Sequence, residues 1–110
     1  ARSFARKVLE VNPDDGEIYL MIGDMYAESA KECGDNDLTK RVAYWAAVDK
    51  YYMAKKVDAE IADIANKRIS SYSVYFPTME TIFFYDLREG DEYTVECWIN
   101  EKTKIRAEKQ

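Results

Sequence analysis

Residues 16 to 33 read Gly16-Glu17-Ile18-Tyr19-Leu20-Met21-Ile22-Gly23-Asp24-Met25-Tyr26-Ala27-Glu28-Ser29-Ala30-Lys31-Glu32-Cys33. The apolar side chains at Ile18, Tyr19, Ile22, Met25, Tyr26 and Ala30 recur in steps of three and four, which places them on one face of an amphipathic helix. Asp14 or Asp15 can cap its start by accepting from the free amides of the first turn, and Glu17 suits that positive end. Cys33-Gly34-Asp35-Asn36-Asp37 closes the helix, with Gly34 suited to a left-handed closing position. The stretch from about Leu38 to Asp58 predicts a second long helix of another character. Val42, Tyr44, Trp45, Ala46, Ala47, Val48, Tyr51, Tyr52, Ala54 and Val57 leave its middle apolar nearly all round, so it needs cover on two sides. The expected fold is mainly α, built on an antiparallel pair of helices.

Upstream, residues 1 to 11 have helical periodicity, with Phe4, Val8 and Val11 on one face, and Asn12-Pro13-Asp14-Asp15-Gly16 ends the run in a tight turn. The chain opens on Ala1 with neither an initiator methionine nor a signal-peptide pattern, which is expected of a segment cut from a longer protein. Downstream, about Ala59 to Ser71 predicts a third helix with Ile61, Ile64, Ala65, Ile69 and Tyr72 on a single face. Pro77 then pushes Phe76 out of helical geometry. Thr78 to Phe84 reads as a short helix or a strand, and Arg88-Glu89-Gly90-Asp91 as a turn. Tyr93 to Ile99 alternates like a strand, Asn100-Glu101-Lys102 turns, and Thr103 to Arg106 pairs back in a small β-hairpin.

Function classes narrow quickly. Lys and Arg number 16 against 21 Asp and Glu, a formal charge of −5, so the chain has no overall pull on nucleic acid and would need a local basic patch. The pairs Lys55-Lys56 and Lys67-Arg68 occupy solvent-facing helical positions and do not make one. No apolar stretch approaches the length needed for membrane insertion. Without histidine, the common metal sites and His-dependent acid–base devices have no members, and a cysteine nucleophile has no such base. Asp35-Asn36-Asp37 begins like a calcium loop but lacks the later glycine and glutamate, and reads as a helix end and next cap. Glu89-Gly90-Asp91-Glu92 is a solvated hairpin tip, where nothing would split two carboxyl pKa values for catalysis. Ser70, Ser71 and Ser73 lack a nucleophile elbow, and the glycines form no phosphate cradle. Tyr44, Trp45, Tyr51 and Tyr52, at helical spacing, read as core, with Trp45 and Tyr52 sharing a second face that docks the tail. No catalytic residue, metal ligand or cofactor is expected. Cys33 and Cys97 leave two readings open, a disulfide in an exported parent protein or two buried thiols.

Tyr19-x2-Ile22-Gly23-x2-Tyr26, followed by Ala47-x3-Tyr51 and Ala54, with Pro13 ahead of them, resembles the packing signature of the tetratricopeptide repeat (TPR). Gly23 would let the helices of a pair approach, with Tyr19, Ile22 and Tyr26 filling the seam against Ala47, Tyr51 and Ala54. The match departs from the pattern where Tyr19 replaces tryptophan and Ala59 the closing proline. Tyr26 and Ala47 also lie 21 positions apart, about a dozen more than a repeat of ~34 residues gives. The resemblance implies a TPR-like region over residues 1–72, comprising a partial first repeat, one atypical full repeat and a half-repeat helix. Residues 73–110 resemble the carboxyl-terminal extension of uncharacterised bacterial TPR proteins, which implies a capping tail and an exported parent; a cytoplasmic one is the alternative. By the same resemblance Glu17, Leu20, Asp24, Ala27 and Glu28 would line a concave groove for a basic or amphipathic protein or peptide partner. TPR domains that clamp a terminal carboxylate use Lys and Asn where this chain has Leu20 and Asp24, and Asp24 would repel that ligand. The expected function is a non-catalytic scaffold that ends a solenoid. A homo-oligomerising module, joined through strand Tyr93–Ile99 or the Phe4 face, is the alternative. A fragment of an enzyme completed upstream is a further one.

Overall fold

In the computed structural model, which describes residues 1–108, five helices lead into a two-stranded sheet. Helices α1 (Arg2–Val11), α2 (Gly16–Ser29), α3 (Ala43–Val57), α4 (Ala62–Ser73) and α5 (Met79–Phe84) precede β1 (Glu92–Val95) and β2 (Glu101–Lys104), an antiparallel hairpin. Single turns of 3₁₀ helix extend α2 over Ala30–Glu32 and precede α4 over Ala59–Ile61. The helix starts follow from local chemistry. The Ile18 amide donates to the Asp15 carboxylate at 3.2 Å, Glu60 to Asp58 at 3.1 Å and Thr81 to Thr78 at 3.1 Å, each satisfying an orphan N–H. Among the described residues no helix is long and apolar enough to cross a membrane.

The core forms around α3, whose Ala43, Tyr44, Trp45, Ala46, Ala47, Val48, Tyr51 and Ala54 are all buried. Helix α2 packs on one side at the closest range the backbone allows. A Cβ on Gly23 would stand 2.6 Å from Tyr51 Cε1 and 3.0 Å from the Ala47 carbonyl oxygen. Gly16 repeats the device one end further on, 3.1 Å from the Ala54 carbonyl oxygen. Ile22, Tyr26 and Tyr51 are buried in the core and Tyr19 is half-buried against it, the Tyr26 ring meeting Trp98 of the tail edge-on at 5.3 Å. On the other side of α3 lies the hairpin. Its register pairs Tyr93 with Thr103 and Val95 with Glu101, so these residues share the covered face, while Glu92, Thr94, Lys102 and Lys104 face water. Val95, Ile99, Thr103 and Ile105 are buried there, and Tyr93 meets the Trp45 ring edge-on at 5.5 Å.

Several boundaries differ from the sequence expectation, each for a local reason. Helix α3 begins at Ala43 rather than near Leu38. The Asn36 side chain accepts from the Leu38 and Thr39 amides at 2.9 and 2.8 Å, and Thr39 Oγ1 accepts from Asp35 and Asn36 at 3.1 and 3.3 Å. These bonds offer the backbone a compact turn in place of a helical ladder. Strand β1 stops at Val95, and the hairpin turns over Glu96–Asn100, not Asn100–Lys102, with Cys97 at φ +62° and Asn100 at φ +48°. The cause is covalent: Cys97 is bonded to Cys33 across a Cα–Cα distance of 5.5 Å, which also removes the reading of two free thiols. Strand β2 therefore covers Glu101–Lys104 instead of starting at Thr103. Glu89-Gly90-Asp91 lies at the open end of the hairpin, not its tip. Gly90 N donates to Ile105 O at 2.8 Å and Ile105 N to Asp91 O at 2.9 Å. Thr78–Phe84 resolves as helix from Met79. Ile64 is 47% exposed, turned away from the buried face that the single-stripe reading gave it.

Gly23→Ala separates packing from propensity. Helix propensity alone would stabilise the variant by ~1 kcal/mol. The added methyl group instead meets a backbone oxygen and a ring held on all sides, so Gly23→Ala should cost about 2 kcal/mol in urea denaturation. A neutral or stabilised variant would mean that the two helices can move apart freely.

Candidate functional site

The surface seam between α2 and α4 forms an open groove of mixed chemistry. It is a cleft of about 490 Å³ with Leu20, Met21, Met25, Ile61 and Ile64 as its apolar lining. Glu17, Asp24 and Glu28 from α2 supply negative charge, and Arg68 from α4 is the single cation lining it. That cation is already engaged: Arg68 Nη1 stands 3.3 Å from Asp24 Oδ2. The other Asp24 oxygen accepts from the Tyr51 hydroxyl at 2.6 Å. Burial, then the hydrogen bond to Asp24 and its charge, drive the Tyr51 phenol far above its usual pKa, so it remains a donor. Asp24 thus links the groove wall to the α2–α3 seam. With Met21 at 43% and Ile64 at 47% exposed, the groove offers apolar contact area inside an acidic rim.

The residues singled out from sequence distribute unevenly. Glu17, Leu20, Asp24 and Glu28 line this cleft, whereas Ala27 is buried and faces the core. Pro13 follows α1 in the turn where Asp14 N donates to Asn12 Oδ1 at 3.2 Å. Tyr19, Ile22, Gly23, Tyr26, Ala47, Tyr51 and Ala54 belong to the core or pack against it. The groove's second wall, Ile61, Ile64 and Arg68, was missed, because their apolar stripe gave no sign that it splits between core and cleft. Trp45 docks the tail, its Nε1 donating to Arg106 O at 2.8 Å, but Tyr52 is half-exposed beside Lys55.

A polar cluster fixes the tail and was also missed. Glu101 takes Lys50 Nζ at 2.8 Å, the Tyr26 hydroxyl, and more loosely Arg6 at 3.4 Å. Arg2 donates to Tyr26 Oη at 3.0 Å, Ile99 O at 2.6 Å and Trp98 O at 2.9 Å, with its guanidinium 4.9 Å from the centre of the Trp98 ring. A second group joins Asp49 to Thr103 Oγ1 at 2.5 Å and to Arg106 at 2.8 Å. Each group joins segments that lie far apart in sequence, so nothing in the local pattern marks it. The cluster is built to hold charge still: Glu101 and Asp49 each accept from more than one donor, and Arg106, which also lines a cleft of about 410 Å³, is paired with Asp49.

Burial alone would raise the Glu101 pKa, but hydrogen bonds from Lys50 and Tyr26, with the charges of Lys50 and Arg6, outweigh it and hold the carboxyl below its usual value. A depressed folded-state pKa contributes stability above the unfolded value and loses it as pH falls through the folded one. Glu101→Gln should therefore destabilise by about 2 kcal/mol at neutral pH, with the gap from wild type closing below about pH 4. Urea denaturation at neutral and acidic pH measures both; a gap that does not change with pH would separate Glu101 from this role.

Compared with protein-family models, curated proteins and solved structures, the chain matches none, so its function has to be read from its own surfaces.

Proposed function

We propose that this chain is a non-catalytic scaffold segment, the terminal part of a TPR-type solenoid, whose groove between α2 and α4 takes a basic amphipathic peptide. The observation that carries the reading is the close seam in which Gly23 admits Tyr51 and Ala47 while α4 returns beside α2 through the Asp24–Arg68 pair. In that reading α1 is the second helix of a preceding repeat, α2 and α3 are a complete pair, and α4 opens the next repeat. First helices of neighbouring repeats then line one groove, here acid-rimmed and apolar-floored. The hairpin serves as the cap that covers the last apolar face of α3. The Cys33–Cys97 bond supports an exported parent protein, since such bonds persist in oxidising compartments. A labelled helical peptide of leucines on one face and lysines on the other tests the groove. Glu17→Lys with Glu28→Lys should weaken its binding about tenfold, and Ile64→Asp by a similar factor. Equal binding to wild type and to these variants, or no saturable binding at all, would remove the groove reading.

Self-association is the second reading, favoured by Phe4 and Val11, which are 65% and 88% exposed on α1. It requires a mass that grows with concentration in light scattering and falls back on Phe4→Ser. A monomer at every concentration sets it aside.

A further inference from the structure

The far end of the α2–α4 seam carries the opposite charge. Lys31, just past α2, meets Lys40 and Arg41 from the turn before α3, and the three surround a cleft of about 380 Å³ floored by Tyr44 and Tyr75. The Tyr44 and Tyr75 rings stack at 5.3 Å with planes 29° apart, and Tyr44 also stacks on Tyr72 at 5.8 Å, so the floor is firmly backed. Tyr44 is buried while Tyr75 is 47% exposed, leaving an aromatic ring partly open to solvent among the cations.

In a chain of net charge −5, cations this close together would be expected to have local carboxylate partners. They have none. Among the described residues the ion pairs are Arg6 and Lys50 with Glu101, Arg68 with Asp24, Lys102 with Glu92, and Arg106 with Asp49. Arg41 makes only a long 3.5 Å contact to the Tyr75 carbonyl oxygen. The acids nearest in sequence line other clefts, Glu32 and Asp35 beside the disulfide and Asp37 beside Phe84. Helix α3 also has no acidic residue in its first turn. The expectation that the chain lacks a local basic patch is thus corrected. The Lys40-Arg41 pair is in plain view in the sequence, and only closure of the helix pair adds Lys31 to it.

We propose that the Lys31–Lys40–Arg41 corner is a docking site for an acidic peptide segment that places an aromatic side chain between its carboxylates. The carboxylates pair with the three exposed cations, and the aromatic ring lies on Tyr75, which stacks on Tyr44. The site is shallow and its charged groups are exposed, which suits a chain segment better than an enclosed small molecule. A single-stranded nucleic acid would use the same two chemistries, but it needs a continuous basic track. Here the track ends at once, because Glu28, Asp24 and Glu17 follow along the same seam and would repel further phosphates.

The probe is a short labelled peptide with glutamates flanking a central tryptophan, added to the full chain at low ionic strength and read by fluorescence anisotropy. Saturable binding is expected, weakening by about tenfold or more with Lys31→Glu plus Lys40→Glu, and severalfold with Tyr75→Ala. The altered side chains are exposed, and circular dichroism checks that the variants are folded. Replacing the peptide's tryptophan with alanine tests the same floor on unaltered protein and should also weaken binding severalfold. Glu17→Lys with Glu28→Lys should leave this binding intact or tighten it, which separates the corner from the groove. The proposal is overturned by any one of the following: an absence of saturable binding, undiminished binding to the charge-reversed corner, or tighter binding of oligothymidine or of the lysine counterpart of the peptide.

Discussion

Helix α3 is buried throughout Ala43–Val48 and again at Tyr51 and Ala54, and the rest of the molecule is arranged around that constraint. Small residues on one side, Ala47 and Ala54, meet the two glycines of α2 so that backbones approach to contact distance. Trp45 on the other side is too large to cover with a helix at that range, and a two-stranded hairpin takes its place. Neither partner is independent. An isolated hairpin of this size is marginal in water, and α3 without it would expose an indole and the polar groups paired to the tail. Cover and covered element are therefore one cooperative unit.

Two devices hold that unit, and they act on different states. The Cys33–Cys97 bond spans 64 positions, and in the loop-entropy picture it stabilises by about 4 kcal/mol through the unfolded chain. It also places the turn, by holding Cys97 against Cys33, whereas the charge clusters act in the folded state and fix which face of the hairpin is covered. Glu101 faces Val95 in the ladder and takes Lys50 and Tyr26, while Thr103 faces Tyr93 and takes Asp49. A slip of one residue would turn Glu101 and Thr103 to water and bring Lys102 and Lys104 onto buried α3. The disulfide limits how far the tail can go, and the buried polar pairs decide how it sits.

How much of this could be read from residues alone follows the range of each interaction. The helix of α2 and the mostly apolar middle of α3 are written in local periodicity, although Met25 of the α2 stripe lines the surface cleft and Tyr52 of α3 is half-exposed. The meeting of Gly23 with Ala47 and Tyr51 is implied by the TPR resemblance and appears in the structure. The start of α3 was missed because Asn36 and Thr39 bind nearby amides, a competition that periodicity does not register. The hairpin turn was displaced because the Cys97 bond is made to a residue on another element. The candidate sites were half visible for the same reason. Glu17, Asp24 and Glu28 lie on one helix and were found, but their apolar counterpart Ile64 and the paired Arg68 come from another.

Charge along the α2–α4 seam is segregated in a way that the net value conceals. On α2 and its extension the order is Glu17, Asp24, Glu28, then Lys31, and on the opposite wall Arg68 is cancelled by Asp24 before Tyr75 closes the row. The acidic part is tied to the core, since Asp24 also holds the Tyr51 hydroxyl, so a change of charge there would disturb the α2–α3 seam as well as the surface. The basic part has no such tie. Lys31, Lys40 and Arg41 can be altered without removing any carboxylate partner or any buried contact. Like charges gathered at an exposed corner repel one another, by an amount that solvent and salt keep small. An occupant of opposite charge is the physical circumstance in which such an arrangement lowers the free energy of the whole.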